Sequence, residues 1–225
     1  MGDTEFKPSI SEEHGLALIR DSDLVILSAG ISTGGAAEIG IAEAHPLAQV
    51  IATTIDTVGL EEAKQIIADR GLGERITTKL EDLRTDWSYV ENYFDFIYAR
   101  LVLHYLSAQD LDIVLQNFFR SLKPGERLFA VVRSVKNYEV ESFVKMAYDE
   151  HTHLTTYRRA HDAEEDGWKR YFHTPETIQG HLKKAGFKIL HVEEYEEQLY
   201  RDFLRTKPGK DKDHLIEVLA TKPTS

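Results

Sequence analysis

Short continuous apolar runs and amphipathic stretches alternate along most of this chain. Leu24 to Leu27 is an apolar run that enters a stretch of small residues, Ser28 to Gly35, and a second apolar run, Val50 to Ile55, ends on Asp56. Apolar runs of this kind bounded by turn residues predict strands buried on both faces. The segment between them, about Ala36 to Ala44, predicts a helix closed before Pro46.

The alternation continues on both sides. Ser9-Ile10-Ser11-Glu12 has capping-box spacing and predicts a helix from Ser9 that ends before Asp21. Leu60 to Asp69 predicts a helix with Gly71 and Gly73 beyond its end, and Leu111 to Leu122 predicts another, stopped by Lys123-Pro124-Gly125. Strands are predicted at Ile76 to Leu80, Phe94 to Ala99, Arg127 to Val132, Lys188 to Val192 and His214 to Ala220. Such alternation implies an α/β fold with a mostly parallel sheet covered on both faces, which binds ligands at the C-terminal strand ends.

Composition narrows the picture. The 225 residues suit one α/β domain over 1–225, with an N-terminal helix within 1–22 and an insertion at 135–171. Cysteine is absent, which excludes a disulfide framework, a thiolate metal site and a cysteine nucleophile. The N-terminal stretch lacks the pattern of a secretory signal and no apolar run approaches a membrane span, so a soluble, cytoplasmic protein without a membrane partner is expected. With a formal net charge of -11 and basic residues interleaved with acids, no nucleic-acid partner is expected either.

Candidate chemistry starts at the first turn. Small side chains from Ala29 to Gly34 let a ligand approach the backbone, and Asp56 at the next strand end is placed to accept hydrogen bonds from ribose hydroxyls. A tight bend and a helix cap would use the same residues. The insertion holds Tyr138, Phe143, Tyr148, Tyr157, Trp168 and Tyr171, a composition suited to covering a small organic ligand. His151 and His153, two apart, share a face on a strand but not on a helix, and no third metal ligand can be named, so no metal is expected. Arg158-Arg159 and Lys169-Arg170 either steer an anionic substrate or lie on a solvated face.

From Asp56 onward the order of motifs resembles the class I S-adenosylmethionine-dependent methyltransferases, in their small-molecule branch. The matching pieces are VIATTID, LEEAKQIIADRGLGERI, the acidic pair Glu81-Asp82, FDFIYARLVLHYLS and LKPGERLFAVV, followed near the C-terminus by YFHTPETIQGHLKKAGFKIL. The resemblance implies a Rossmann-like three-layer sandwich: a seven-stranded, mostly parallel sheet whose last strand is antiparallel and lies between the fifth and sixth, with a helical cap insertion over the substrate. It implies S-adenosylmethionine as cofactor, S-adenosylhomocysteine as product, a small-molecule acceptor, and a monomer or homodimer.

Roles follow by position. The resemblance implies that Asp56, with Thr57 beside it, meets the ribose, that Asp82 and Leu83 meet the adenine, and that Ala29, Gly30, Ser32 and Gly34 lie against the methionine end. Ala99 and Arg100 would flank the transferring methyl. His104 would face the substrate, and His151 and His153 in the insertion complete the candidate catalytic set. Ala99-Arg100-Leu101-Val102 stands where amino-group methyltransferases carry an Asn or Asp-Pro-Pro-aromatic loop, which favours oxygen or carbon acceptors.

The chain departs from the family in the first turn. The family opens it with an acid and three glycines, whereas this chain has Ser28, Gly30, Ser32 and Gly34. Ser28 removes a carboxylate that helps organise the cationic amino end of the cofactor. Two classes of function therefore stand: an active methyltransferase, or a noncatalytic relative that serves binding or regulation. A third, an NAD-dependent oxidoreductase, is disfavoured by LKPGERL and AGFKIL.

Overall fold

The structure is a computed structural model that describes residues 9–161, 166–203 and 206–224. Helix α1 (Ile10–Ala17) starts where the sequence predicts, with Ser9 and Glu12 forming the capping box. Strand β1 (Val25–Ala29) leads through a 3-10 turn (Thr33–Gly35) into α2 (Ala36–Ala44), β2 (Gln49–Thr54), α3 (Thr57–Asp69) and β3 (Ile76–Leu80). After β4 (Phe94–Arg100) come a 3-10 turn (Leu103–Tyr105), α4 (Ala108–Ser121) and β5 (Leu122–Arg133). Two helices start three residues earlier than periodicity predicts, because Asp56 caps α3 by accepting from the Val58 N–H and Ser107 caps α4 by accepting from the Asp110 N–H.

The insertion contributes β6 (Phe143–Tyr148), β7 (Thr155–Arg159) and β8 (Trp168–Arg170), and the chain ends with α5 (Pro175–Ala185), β9 (Lys188–Glu197) and β10 (Asp213–Thr221). The main sheet has seven strands in the order β3-β2-β1-β4-β5-β10-β9. Strands β3, β2, β1, β4 and β5 run parallel, and β10 is antiparallel to both of its neighbours. The order reverses between β1 and β4, and the crevice at that switch point is where such sheets take ligands.

Both faces of the sheet are buried. Ile26, Phe96 and Tyr98 pack with Ala37, Ile41 and Ala63 of α2 and α3, while Leu27, Ile97 and Ala99 pack with Leu111, Leu115 and Leu182 of α4 and α5. Neighbouring residues of one strand thus belong to opposite cores, which is why β1 and β4 read as continuous apolar runs.

The helical cap expected at 135–171 is a three-stranded antiparallel sheet, β6-β7-β8, preceded by a 3-10 turn. Its β-branched and aromatic residues pair across strands. Phe143 and Tyr157 stack with centroids 4.7 Å apart, and Phe172 packs edge-on against both. Such pairs stabilise a small sheet in the way spaced contacts stabilise a helix. Among the described residues no helix is long and apolar enough to cross a membrane.

Candidate functional site

The C-terminal ends of β1, β2, β3 and β4 surround a cavity of about 570 Å³. Its first wall is the turn after β1. The Gly30 and Ile31 N–H groups both donate to the Thr53 carbonyl, at 2.9 and 2.8 Å, so the chain folds back over β2 as soon as the strand ends. Gly30 has φ +83°, and a Cβ there would stand 2.9 Å from Val102. Only glycine meets both demands without strain.

The two serines of this turn share one partner. Ser28 Oγ donates to Glu38 Oε1 at 2.6 Å, and Ser32 Oγ donates to Glu38 Oε2 at 2.7 Å. The Ser32 N–H adds a third, longer bond to Oε1 at 3.3 Å, while Ser32 Oγ accepts from the Ala37 N–H at 2.9 Å. Glu38 is fully buried on helix α2, AAEIGIAEA, whose other acid, Glu43, is exposed and pairs with Arg70.

Asp56 lies on the cavity beside Thr53, Thr54 and Ile55 at the end of β2. It is exposed and accepts from the Val58 N–H at 3.0 Å, which leaves carboxylate lone pairs available to hydroxyl donors. From β3, Glu81, Asp82 and Leu83 form the next wall. Glu81 accepts from the Tyr89 hydroxyl at 3.0 Å, its other oxygen is buried with no partner among the described residues, and burial raises its carboxyl above the usual range. Asp82 is held in a fork by Arg84, whose Nη2 donates to Oδ2 at 2.6 Å, and that bond keeps its carboxyl below the usual range.

At the end of β4, Tyr98 and Arg100 line the cavity, followed by Leu101, Val102, Tyr105 and Leu106. Leu101 has φ +56°, a left-handed conformation that costs an L-residue about 1–2 kcal/mol. That bend turns the chain so that Leu101 and Val102 both face the cavity. Arg100 donates to Ser11 Oγ at 2.5 Å, Ser9 Oγ at 2.7 Å and Glu197 Oε1 at 3.3 Å. It thereby ties α1 and the end of β9 to the cavity rim, where Ser9 and Glu12 also lie.

Of the residues anticipated for a cofactor, Gly30, Ser32, Asp56, Asp82, Leu83 and Arg100 come together on this cavity. Ala29 and Ala99 are buried in the sheet instead, Thr57 is the exposed first residue of α3, and Gly34 packs against Phe203 and Ile66. Sequence reasoning missed Glu12, Tyr98, Arg84 and Tyr200 on the walls, and Glu38 behind them. No pattern in the sequence separates Glu38 from Glu43, because its partners Ser28 and Ser32 meet it only on folding.

The three histidines separate. His104, in the 3-10 turn after β4, is fully buried, its Nδ1 has no partner among the described residues, and burial holds it neutral, well below its ordinary range. It is not on the cavity wall, although the following residues Tyr105 and Leu106 are. His151 and His153 are exposed on the hairpin between β6 and β7, where His153 Nδ1 bonds the Tyr148 hydroxyl at 3.0 Å. Neither lines the cavity. Among the described residues, His191, Glu193 and Glu217 place possible metal-ligand atoms within 4.8 Å of one another. Glu217 already accepts from Tyr195 and pairs with His14, and the group lies away from the cavity.

Three polar atoms on the walls are open to a ligand. Thr53 Oγ1, Glu81 Oε1 and the Tyr98 hydroxyl are buried without partners among the described residues, and all three residues line the cavity. Buried polar atoms of this kind are expected to find partners on a ligand.

Comparison with known proteins agrees with this fold. Residues 26–125 match a family model described as a methyltransferase domain. No curated protein sequence matches the chain. Among solved structures, the chain is similar to a SAM-dependent methyltransferase from Methanosarcina mazei, at 18% identity and a TM-score of 0.67, over 93% of this chain and 96% of that one. It is similar to an S-adenosylmethionine-dependent methyltransferase from Mesorhizobium loti, at 19% identity and a TM-score of 0.65, over 94% and 97%. A (4+2)-cyclase, SpnF, shares the fold at 20% identity and a TM-score of 0.61, over 95% and 80%.

Proposed function

We propose, from the premise that this chain carries a methyltransferase domain of the class I, S-adenosylmethionine-dependent type, that it methylates a small-molecule acceptor at oxygen or carbon. One observation carries the reading. Gly30 and Ser32, Asp56, and Glu81 to Leu83 converge on a single cavity, which continues past Arg100 to Leu101, Val102, Tyr105 and Leu106.

The cofactor of such a domain supplies an electrophilic methyl group on a sulfonium. In this chain, Asp56 is the residue to accept from ribose hydroxyls, Leu83 and the Glu81 carboxyl are those to meet the base, and the backbone at Gly30 is open to the amino-acid end. The acceptor belongs at the far end, against Leu101, Val102, Tyr105 and Leu106. Apolar walls there exclude water and hold an acceptor oxygen or carbon in line, and positioning is the larger part of what this transfer needs. His104, fully buried and off the cavity wall, stacks on Tyr105 and so supports that end of the cavity; we assign it no proton relay. His151 and His153 have no part in this assignment.

Calorimetric titration tests the reading. The wild-type chain binds S-adenosylmethionine and S-adenosylhomocysteine, and Asp56→Asn binds both about tenfold more weakly, the loss of one or two charge-assisted hydrogen bonds. Asparagine also caps helices well, so α3 and the melting temperature are retained. No binding at millimolar ligand by wild type overturns the cofactor assignment. Transfer of labelled methyl to peptides or nucleic acids, with none to phenols or enolisable ketones, overturns the acceptor assignment.

A further inference from the structure

We infer that Glu38 is the positioning residue for the cationic amino-acid end of the cofactor, replacing from helix α2 the carboxylate that β1 lacks at Ser28. The inference rests on the reading of the cavity as an S-adenosylmethionine site. Three donors converge on the Glu38 carboxylate: the hydroxyls of Ser28 and Ser32 at 2.6 and 2.7 Å, and the Ser32 N–H at 3.3 Å. Ser32 lies on the cavity wall, whereas Glu38 lies behind it and is fully buried. The carboxylate therefore acts through the turn and does not touch a ligand directly.

Two physical consequences follow. The first is geometric: one side chain ties the last turn of β1, through Ser28, to the middle of the loop, through Ser32. Because Ser32 Oγ donates to Glu38 and also accepts from the Ala37 N–H, its rotamer is fixed from both sides. The loop backbone that meets the ligand is therefore held before the ligand arrives. The second is electrostatic. Among the described residues no Lys, Arg or His pairs with Glu38, so its charge is satisfied by hydrogen bonds alone in a low-dielectric setting. Such a charge favours a cation at the nearest ligand-accessible surface, which is the Ser32 side of the turn.

The two serines and the acid form one unit. A serine at position 28 is short enough to leave room for a carboxylate arriving from α2, and a serine at position 32 gives that carboxylate a second donor where glycine would give none. An aspartate at position 28 beside Glu38 would set two carboxylates against each other.

Three ligands separate this role from a merely structural one. S-adenosylmethionine and S-adenosylhomocysteine carry the ammonium group, while methylthioadenosine has the same nucleoside and thioether but no amino-acid end. E38Q keeps the shape and hydrogen-bonding capacity of the side chain and removes its charge. By calorimetry, E38Q binds S-adenosylmethionine and S-adenosylhomocysteine about tenfold more weakly, while methylthioadenosine stays within about twofold of wild type. The double variant S28D/E38L, which moves the acid to β1, recovers most of the lost affinity, and it decides the matter should E38Q fold poorly. Equal weakening for all three ligands, unchanged affinity in E38Q, or no recovery in S28D/E38L each overturns the inference. Failure of wild type to bind any of the three is a different result, because it removes the cofactor assignment itself.

Discussion

Arg100 Nη2 donates to Ser9 Oγ at 2.7 Å, joining the last residue of β4 to the cap of the N-terminal helix. The same guanidinium reaches Glu197 on β9 at 3.3 Å and lies 3.6 Å from Glu12. Both carboxylates are almost wholly inaccessible, and Arg100 pairs with each. One side chain thus closes the cavity rim from two directions that are remote in sequence.

Replacing Arg100 removes a cation that pairs with two buried acids. Arg100→Ala is expected to lower the unfolding free energy by about 3 kcal/mol or more, the usual cost of breaking a buried pair from one side. Urea denaturation at neutral pH measures it. Limited proteolysis should at the same time cut first within α1, and a variant with wild-type stability would mean that the rim is held by other contacts.

Gly30 and Val102 make a second pair that can be tested by a cycle. Gly30→Ala places a Cβ 2.9 Å from Val102 at a φ of +83°, so both contact and backbone resist it. The expected loss is about 2 kcal/mol, of which roughly 1 is the left-handed backbone term that no change at position 102 can relieve. Val102→Gly in the Gly30→Ala background, which removes both the Cβ and the Cγ2 that stand 2.9 Å away, should return the contact part, giving a favourable coupling of about 1 kcal/mol by thermal or chemical denaturation. Strict additivity would show that the loop shifts away from Val102 at no cost.

The buried histidines predict an acid limb. Burial pushes His173 down from 6.5 to about 3, and both of its ring nitrogens are without partners among the described residues. The unfolded chain takes up a proton below about pH 6.5 that the folded chain refuses until about pH 3. The contribution of His173 is therefore complete above pH 6.5 and falls by about 1.4 kcal/mol for each pH unit below it. His104, also held neutral by burial, acts in the same direction. His173→Phe should reduce the loss of stability between pH 6.5 and 5 by roughly 2 kcal/mol, read from denaturant curves at the two pH values. An acid limb as steep as that of wild type would place the titrating groups elsewhere.

Much of the fold was legible in the chain because its signals are local. The apolar runs of β1 and β4, the Gly30 turn and the strand-ending Asp56 depend on near neighbours in sequence, and each lies where that pattern places it. The capping box of Ser9 and Glu12 is local in the same sense. The β character of the insertion was not, because a short aromatic segment becomes a strand only when another pairs with it, as β6 pairs with β7 and Phe143 stacks diagonally on Tyr157.

Amino-acid order by itself determined the alternating α/β plan, the place of the small-residue turn after β1 and the acid at the tip of β2. Tertiary structure decided what the polar residues do. Glu38 meets Ser28 and Ser32, Arg100 meets Ser9 and Glu197, and Asp82 turns to Arg84. Backbone periodicity records which face of an element is buried, but the partner of a buried charge is chosen by packing. In the turn at Ser28, a carboxylate reaches the loop from the next helix.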